Sequence, residues 1–239
     1  GFEPIRGFER HAFELETLDP RVVERLGLAF TPDSRSFITT EARTGVLVRW
    51  DARSWRCVER LPALGSNHWG VALSPDGHWL ATGDFPGRVT LWDWTTRQAV
   101  TNFAVALEVT GWLRFSRSGQ YFVVEAAYNN HTARVRVWRT GDWAEVPLTG
   151  SQFEGLLPID LSPDDRLLAV GYFNGALKLF HFPSLEHKVT LTQERGTVSG
   201  VFFSPDGREL ISVDFNGSVR LWDVVAEREK AMPLRGHLG

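Results

Sequence analysis

Short apolar stretches with alternating polar positions, separated by turn residues, run along most of this chain. Residues 204–223 carry the pattern in full. Ser-Pro-Asp-Gly at 204–207 predicts a tight turn, because proline fixes φ at the second position and glycine accepts a positive φ. The apolar, β-branched run at 209–213 predicts a strand, and Asn216-Gly217 predicts a type I′ hairpin turn. Apolar residues at 219–222 then predict the returning strand.

The same unit occurs five times, and each copy ends in a large aromatic residue. These aromatics lie 42, 46, 42 and 42 residues apart, at Trp50, Trp92, Trp138, Phe180 and Trp222. Repetition at about 40 to 45 residues is typical of four-stranded propeller blades, each of which buries its apolar faces only by packing on its neighbours. The sequence therefore predicts an all-β fold of repeated antiparallel sheets.

The repeated turn and the closing Trp-Asp pairs give the chain a resemblance to the WD-repeat β-propeller family, over about residues 21 to 237. The resemblance implies one domain, residues 1–239, that is a β-propeller of four-stranded antiparallel blades. It has five complete WD-type blades plus edge strands of a further blade, as in a fragment of a larger propeller. A closed ring of five blades is the alternative. The implied blades span approximately 21–63, 64–106, 107–151, 152–193 and 194–235, after an N-terminal edge strand at 11–18.

Alignment of the repeats predicts one contact between charged side chains and one long loop. Arg114 and Asp160 occupy the same inner-strand position of successive repeats, so we expect them to approach the central channel or one another. The third repeat is longer than the others, which predicts a long hairpin loop at 128–133. Inserted residues of a propeller map to loops on one face, and that face is often functional.

In the family, the repeated Trp is often linked to a strand Ser or Thr, a His and a hairpin-turn Asp. Here the His is missing from its expected place, and Phe85, Phe173 and Phe215 stand where the turn Asp is expected. The resemblance therefore predicts that this polar network is mostly absent. The three phenylalanines have two interpretations. Each packs over the neighbouring blade, or together they form an exposed aromatic rim that binds a partner.

Three further aromatic residues are candidates for the same binding face. Trp69 and Trp112 enter inner strands, where the core is the alternative place for both. Tyr172 precedes Phe173 and has a polar tip suited to an interface. We therefore expect a non-catalytic scaffold that binds a protein or peptide on the face carrying the turns between second and third strands.

Two other functions stay open. A small-ligand or enzymatic site in the central channel would use Arg114, Asp160 and Glu125, because enzymes on propellers usually gather charged groups there. A regulatory sensor module in a longer signalling chain is also compatible with the resemblance. In that case other domains of the longer parent chain would be partners.

The composition of the chain limits the classes of partner and cofactor that we expect. The 239 residues are 43% hydrophobic, which is ample for a core, and the net charge of −3 gives no broad attraction to nucleic acid or acidic membranes. No apolar run reaches the roughly 20 residues of a membrane span. The single cysteine, Cys57, excludes an internal disulfide framework, and the histidines lack metal-ligand spacing. We expect no metal, no cofactor and a cytoplasmic location.

Overall fold

The computed structural model describes residues 27–41, 44–61, 68–84, 87–105, 109–129, 132–148, 152–154, 158–192, 196–230 and 234–235. These residues form strands and turns, and no helix occurs among them. The predicted N-terminal edge strand at 11–18 lies outside the described residues. The strands are numbered β1 to β21 in chain order, and the sheets are numbered in the same direction.

Five antiparallel sheets follow one another along the chain, each built from consecutive strands. Sheet 1 contains β1 (Leu28–Phe30), β2 (Ser36–Thr40), β3 (Leu47–Asp51) and β4 (Cys57–Leu61), and sheet 2 contains β5 (His68–Leu73), β6 (Trp79–Asp84), β7 (Arg88–Asp93) and β8 (Gln98–Ala104). Sheet 3 contains β9 (Val109–Phe115), β10 (Tyr121–Asn129), β11 (Thr132–Arg139) and β12 (Gln152–Glu154). Sheet 4 contains β13 (Ile159–Leu161), β14 (Leu167–Gly171), β15 (Ala176–His181) and β16 (His187–Thr192), and sheet 5 contains β17 (Val198–Phe203), β18 (Glu209–Asp214), β19 (Ser218–Asp223), β20 (Arg228–Glu229) and β21 (Leu234–Arg235). The predicted all-β fold of four-stranded antiparallel blades is confirmed; in sheet 5 two short strands, β20 and β21, pair with β19 where the other sheets have one fourth strand.

The turn between the first and second strands of each sheet has the geometry that its sequence predicts. Its fourth position is left-handed in every sheet, with φ between 55° and 74° at Ser34, Gly77, Gly119, Asp165 and Gly207. In sheet 5 the Ser204 hydroxyl donates to Asp206 Oδ1 at 2.6 Å and accepts from the Glu209 N–H at 2.9 Å. The turn is thus closed by side chains as well as by its backbone, and this fixes the register of the strands on either side.

Four of these turns hold an aspartate whose pKa is lowered, first by a Ser or Thr hydroxyl and then by a backbone N–H. They are Asp33, Asp76, Asp164 and Asp206. A folded-state pKa below the unfolded one stabilises the protein above the unfolded pKa, and this stabilisation is lost as pH falls through the folded pKa. We therefore expect the free energy of unfolding to fall as pH drops below about 4.

Urea denaturation at a series of pH values measures this loss. A variant with all four aspartates changed to Asn is the matched control, because the amide oxygen can still accept the same hydrogen bonds without titrating. The variant should lose less stability than the parent between about pH 5 and pH 3. If the free energy of unfolding falls equally with pH in both proteins, these four turns are not the cause of the acid sensitivity.

Four hydrophobic clusters of described residues join consecutive sheets. The face that carries the closing aromatic packs on the preceding sheet. Trp92 of sheet 2 thus shares a cluster with Ile38 of sheet 1, and Trp222 of sheet 5 shares one with Ala169 of sheet 4. Each sheet is therefore stabilised mainly by burial against its neighbours, which is the energetic pattern of a repeat protein.

Two details of sheet 3 differ from prediction. The long loop predicted at 128–133 is wrong, because β10 continues to Asn129 and β11 begins at Thr132. The extra residues therefore lengthen both strands, whose backbone groups pair with each other instead of with water. The fourth strand at 152–154 also pairs with β11, so this sheet extends beyond the predicted boundary at residue 151.

The polar link from the closing Trp to the second strand is present, so the predicted loss of the family's network is wrong in this part. The indole N–H groups donate to second-strand hydroxyls in three sheets, in the pairs Trp50–Thr39 (2.9 Å), Trp92–Thr82 (3.3 Å) and Trp222–Ser212 (2.9 Å). Asp84 and Asp214 are buried at the ends of β6 and β18 and accept hydrogen bonds from the turns that follow. The alignment of the repeats predicts the turn Asp at the positions of Phe85 and Phe215, which are one residue after these two buried acids.

Candidate functional site

Phe173 and Phe215 are exposed at the turns between the second and third strands of sheets 4 and 5. Their exposed fractions are 50% and 57%. Three residues separate Asp214 from Ser218 in sheet 5, and three separate Tyr172 from Ala176 in sheet 4, where the Tyr172 N–H donates to the Ala176 carbonyl. Both turns end in a left-handed glycine, Gly175 with φ 83° or Gly217 with φ 76°. This is the turn type in which a type I turn is followed by a left-handed residue, and Asn216 does not have a positive φ. The predicted type I′ turn at Asn216-Gly217 is therefore wrong.

Asp214 selects this turn type in sheet 5. Its Oδ1 accepts from the backbone N–H groups of Asn216 and Ser218, both at 2.9 Å. An acid that accepts from the N–H two residues later fixes the first half of the turn in a conformation with negative φ. The phenylalanine between Asp214 and Asn216 is thereby held outward on a turn whose backbone is fixed.

Thr197 joins the two phenylalanine turns. Its hydroxyl donates to the Phe173 carbonyl oxygen at 2.9 Å, and its own carbonyl accepts from the Phe215 N–H at 3.1 Å. Since both turns bond to one residue, Phe173 and Phe215 lie on the same edge of adjacent sheets. We call Phe173, Phe215 and Thr197, with the exposed Asn174 and Asn216 beside them, the aromatic edge.

The other residues predicted to bind a partner do not belong to the aromatic edge as described. Tyr172 is only 9% exposed, packs in the cluster between sheets 3 and 4, and has the Lys178 ammonium 4.6 Å from its ring centroid. Its prediction as an interface residue is therefore wrong, because the neighbouring sheet covers it. Trp69 lies in β5, but its side chain is outside the described residues, as is Phe85.

Trp112 is exposed, but it belongs to a second group of residues on the inner strands. It is 38% exposed, and its backbone N–H donates to the buried Glu125 carboxylate at 3.2 Å. The Arg114 guanidinium lies 5.7 Å from its ring centroid. Trp112 therefore contacts Arg114 and Glu125, two of the charged residues predicted for the channel, and is not part of the aromatic edge.

Arg114 and Asp160 approach one another, as their positions in successive repeats predicted. Arg114 Nε lies 3.7 Å from Asp160 Oδ1, and Asp160 Oδ2 accepts from the Phe203 N–H at 2.8 Å. Burial raises the pKa of Asp160, while the Arg114 charge and the Phe203 N–H oppose the rise. One carboxylate thus connects sheets 3, 4 and 5 at their inner strands.

A cavity of about 250 Å³ lies beside this pair, lined among others by Arg117 and Leu161. It lies at the strand ends next to the first-to-second strand turns, since Leu161 is the last residue of β13. The aromatic edge lies at the other end of the same strands. Two distinct surfaces are therefore available, one aromatic and one charged.

Sequence reasoning missed Thr197 and Asp214. Thr197 lies just before an inner strand, and its contact with Phe173 joins residues 24 positions apart, which no local pattern reveals. Asp214 did have a signal, because an aspartate directly before a predicted turn favours side-chain acceptance from the turn backbone.

The described residues contain no group of three or more His, Cys, Asp or Glu side chains placed to hold a metal ion. Cys57 is an exposed free thiol. None of the described residues belongs to a helix long and apolar enough to span a membrane.

Two segments of the chain, 56–93 and 186–223, match the family model described as "WD domain, G-beta repeat". Both segments end at the Asp that follows the closing Trp of a sheet. These two segments are therefore similar to WD repeats, in agreement with the resemblance found in the sequence.

Several curated proteins are similar to this chain. The chain is 26% identical to the U3 snoRNP-associated protein-like EMB2271 of Arabidopsis thaliana, over 82% of this chain and 43% of that protein. It is 26% identical to the WD repeat and SOCS box-containing protein 1 of Danio rerio, over 72% and 43% respectively. It is 24% identical to the actin-interacting protein 1 of Drosophila melanogaster, over 63% and 25%. The chain thus spans less than half the length of each of these relatives.

Proposed function

We propose that this chain is a non-catalytic binding module that holds a protein or peptide against the aromatic edge. The observation that carries the proposal is the pair Phe173 and Phe215, half exposed on adjacent sheets and both bonded through their backbones to Thr197. Large exposed aromatics on a fixed backbone lose little entropy on binding, so they are typical anchors of interfaces. WD-repeat relatives include a protein named for its interaction with actin, which supports a protein partner in general.

The chemistry of the edge favours an uncharged apolar segment. Asn174 and Asn216 flank the two rings with neutral amides, and the nearby Asp214 carboxylate is buried and occupied by backbone N–H groups. An apolar side chain of the partner would pack between the rings while the amides bond its backbone. This arrangement gives a central anchor with a polar rim, which is common at protein interfaces.

We predict that Phe173→Ala with Phe215→Ala weakens peptide binding by about tenfold or more, because each ring loses its buried contact. Random linear peptides displayed on phage are selected against the parent chain, and the affinities of the enriched peptides are then measured for both proteins. The melting temperature should hardly change, since both side chains are about half exposed.

Phe30→Ala with Phe202→Ala is the matched control, because these rings are similarly exposed, at 56% and 45%, on other surfaces. If both double variants lose the same peptide affinity, the proposal is wrong. A fall in melting temperature with unchanged peptide affinity would instead support the packing interpretation of Phe173 and Phe215.

The second candidate is a small-ligand site at the cavity beside Arg114 and Asp160. The observation in its favour is a guanidinium Nε that is buried without a hydrogen bond, next to a carboxylate of raised pKa. An Arg114→Met variant separates the candidates in a thermal-shift screen of small molecules. A compound that raises the melting temperature of the parent and of the Phe173→Ala, Phe215→Ala variant, but not of the Arg114→Met variant, would support the cavity as its site.

A further inference from the structure

The outer strand of sheet 2, β8, has one side along which none of the described strands pairs. Its other side pairs with β7, where Gln98 lies opposite Asp93 and Ala104 lies opposite Arg88. Six of the seven residues of β8 are exposed, and Val100 is 56% exposed. The strand reads Gln-Ala-Val-Thr-Asn-Phe-Ala, without a charged residue or a proline. We call the unpaired side the free edge of β8.

The outer strands of the other four sheets are protected at the positions equivalent to Val100 and Asn102, or directly between them. The protecting residues are Arg60 in sheet 1, Pro147 in sheet 3, Lys188 in sheet 4 and Lys230 in sheet 5. Charged side chains and proline on an outer strand hinder its pairing with a further strand. Because β8 has neither, its free edge is open to another strand.

The hydrogen bonds of sheet 2 define which backbone groups lie on the free edge. The Val105 N–H donates to the Gly87 carbonyl at 2.9 Å. Bonded and non-bonded pairs alternate along an antiparallel ladder, so the backbone groups of Phe103 point towards β7. For the same reason the N–H and C=O groups of Asn102 and Ala104 point away from β7.

Two further backbone groups of β8 are occupied within the chain. The Ala104 carbonyl accepts from Arg136 Nη1 at 3.2 Å. Val100 is the extra residue of a β-bulge, and its equivalent in sheet 5, Lys230, donates its N–H to the Leu221 carbonyl at 2.8 Å. The Val100 N–H therefore points towards β7, and the Val100 carbonyl stays on the free edge.

We propose that β8 pairs antiparallel with β8 of a second copy of this chain, about a two-fold axis at Asn102. The two copies of Asn102 exchange both N–H···O bonds, and each Ala104 N–H donates to the Val100 carbonyl of the other copy. A regular ladder would also join the Val100 N–H to the Ala104 carbonyl, and these are the two groups already bonded within each chain. An identical edge therefore matches every free donor between residues 100 and 104 with a free acceptor, and no like charges meet at the axis.

The size of the contact sets the kind of association. One strand pair buries less than the roughly 1,200 Å² of a stable interface, so we expect a weak dimer whose population rises with protein concentration. A measurement that traps the dimer is therefore needed.

Disulfide trapping tests both the pair and its register. Cys57 is the single cysteine, so Cys57→Ser gives a background without thiols. In the proposed pair, Asn102→Cys places two thiols directly opposite each other, at a Cα separation of about 5.5 Å that a disulfide can span. Thr101→Cys is the register control, because its two copies are diagonal neighbours about 7–8 Å apart. Under copper-catalysed air oxidation, the dimer should form about tenfold or more faster at position 102 than at position 101.

Thr190→Cys is the matched control on another sheet. Thr190 lies opposite Lys178 in sheet 4 as Asn102 lies opposite Thr90 in sheet 2, and both Thr190 and Asn102 are exposed. Equal rates at positions 101, 102 and 190 would mean random collision, and the proposal would then be wrong. It would also be wrong if position 102 formed no disulfide-linked dimer at any protein concentration.

Sedimentation velocity gives a second measurement without an introduced thiol. Asn102→Lys should raise the dissociation constant of the dimer about tenfold or more, because it places two like charges directly opposite each other. Thr190→Lys should leave the dissociation constant unchanged. A dimer that persists in the Asn102→Lys variant would mean that the copies associate through another surface, which would overturn the proposal.

Discussion

Phe122→Ala is expected to lower the free energy of unfolding by about 3–5 kcal/mol, the usual cost of removing a fully buried aromatic ring. Phe122 is 0% exposed in β10, and its ring centroid lies 4.8 Å from that of Phe115 and 6.1 Å from those of Trp138 and Trp143. The same cluster includes Leu91 of sheet 2. The substitution therefore leaves a cavity at the joint between two sheets.

A loss of this size is serious for a domain whose total stability is of the order of 5–15 kcal/mol. Urea denaturation of the 239-residue chain, followed by tryptophan fluorescence, measures it. Phe202→Ala is the matched control, because it removes the same ring from a strand position that is 45% exposed. We expect that control to cost less than about 1 kcal/mol. Similar losses from both variants would contradict the assignment of Phe122 to the joint.

The repeated sheets could be predicted from the sequence because the information that specifies them is local. A Ser-Pro-Asp-Gly turn requires only four consecutive residues, and the structure gives its fourth position a left-handed φ in every sheet. The closing aromatics set the period in the same direct way. The position of Arg114 opposite Asp160 was also predictable, because equivalent positions of adjacent repeats must lie close together.

The predictions that were wrong depend on neighbours distant in sequence or on competition between turn types. Asn-Gly alone favours a type I′ turn, but Asp214, two residues before Asn216, accepts from two backbone N–H groups and stabilises the other turn type. Tyr172 and Phe173 are adjacent and both aromatic, yet one is buried and the other exposed. That difference depends on where sheet 3 ends against sheet 4, which the pattern within one repeat does not specify.

The exposure of the aromatic edge also depends on residues that are distant in sequence. The sequence placed Phe173 and Phe215 at equivalent turns but left packing and exposure as open alternatives. Hydrogen bonds fix the turn backbones that carry the two rings: the Thr197 hydroxyl donates to the Phe173 carbonyl, and the Thr197 carbonyl accepts from the Phe215 N–H. Asp214 accepts from the Ser218 N–H at the end of the second turn. A Cβ at Gly196 would lie 2.8 Å from Asn216 Nδ2 and 3.0 Å from Asp214 Oδ2, which shows how closely the chain approaches there.

Gly171→Ala is expected to destabilise the joint between sheets 4 and 5 by about 1–3 kcal/mol, the usual cost of adding a methyl group to a packed interior. A Cβ on Gly171 would lie 2.4 Å from Val198 Cγ1, 2.8 Å from Val198 Cβ and 3.0 Å from Pro158 Cγ. Val198 is β-branched and directly follows Thr197, so relief requires movement of the backbone that connects the two phenylalanine turns. The substitution should therefore weaken peptide binding as well as stability.

Gly141→Ala is the control, because a Cβ there meets nothing within 4 Å and its φ is not left-handed. Its stability, measured by the same urea denaturation, should stay within about 0.5 kcal/mol of the parent. If Gly171→Ala lowers both stability and peptide affinity while Gly141→Ala changes neither, the joint between sheets 4 and 5 positions the aromatic edge. If Gly171→Ala lowers stability and leaves peptide affinity unchanged, the positions of the two phenylalanines do not depend on that joint.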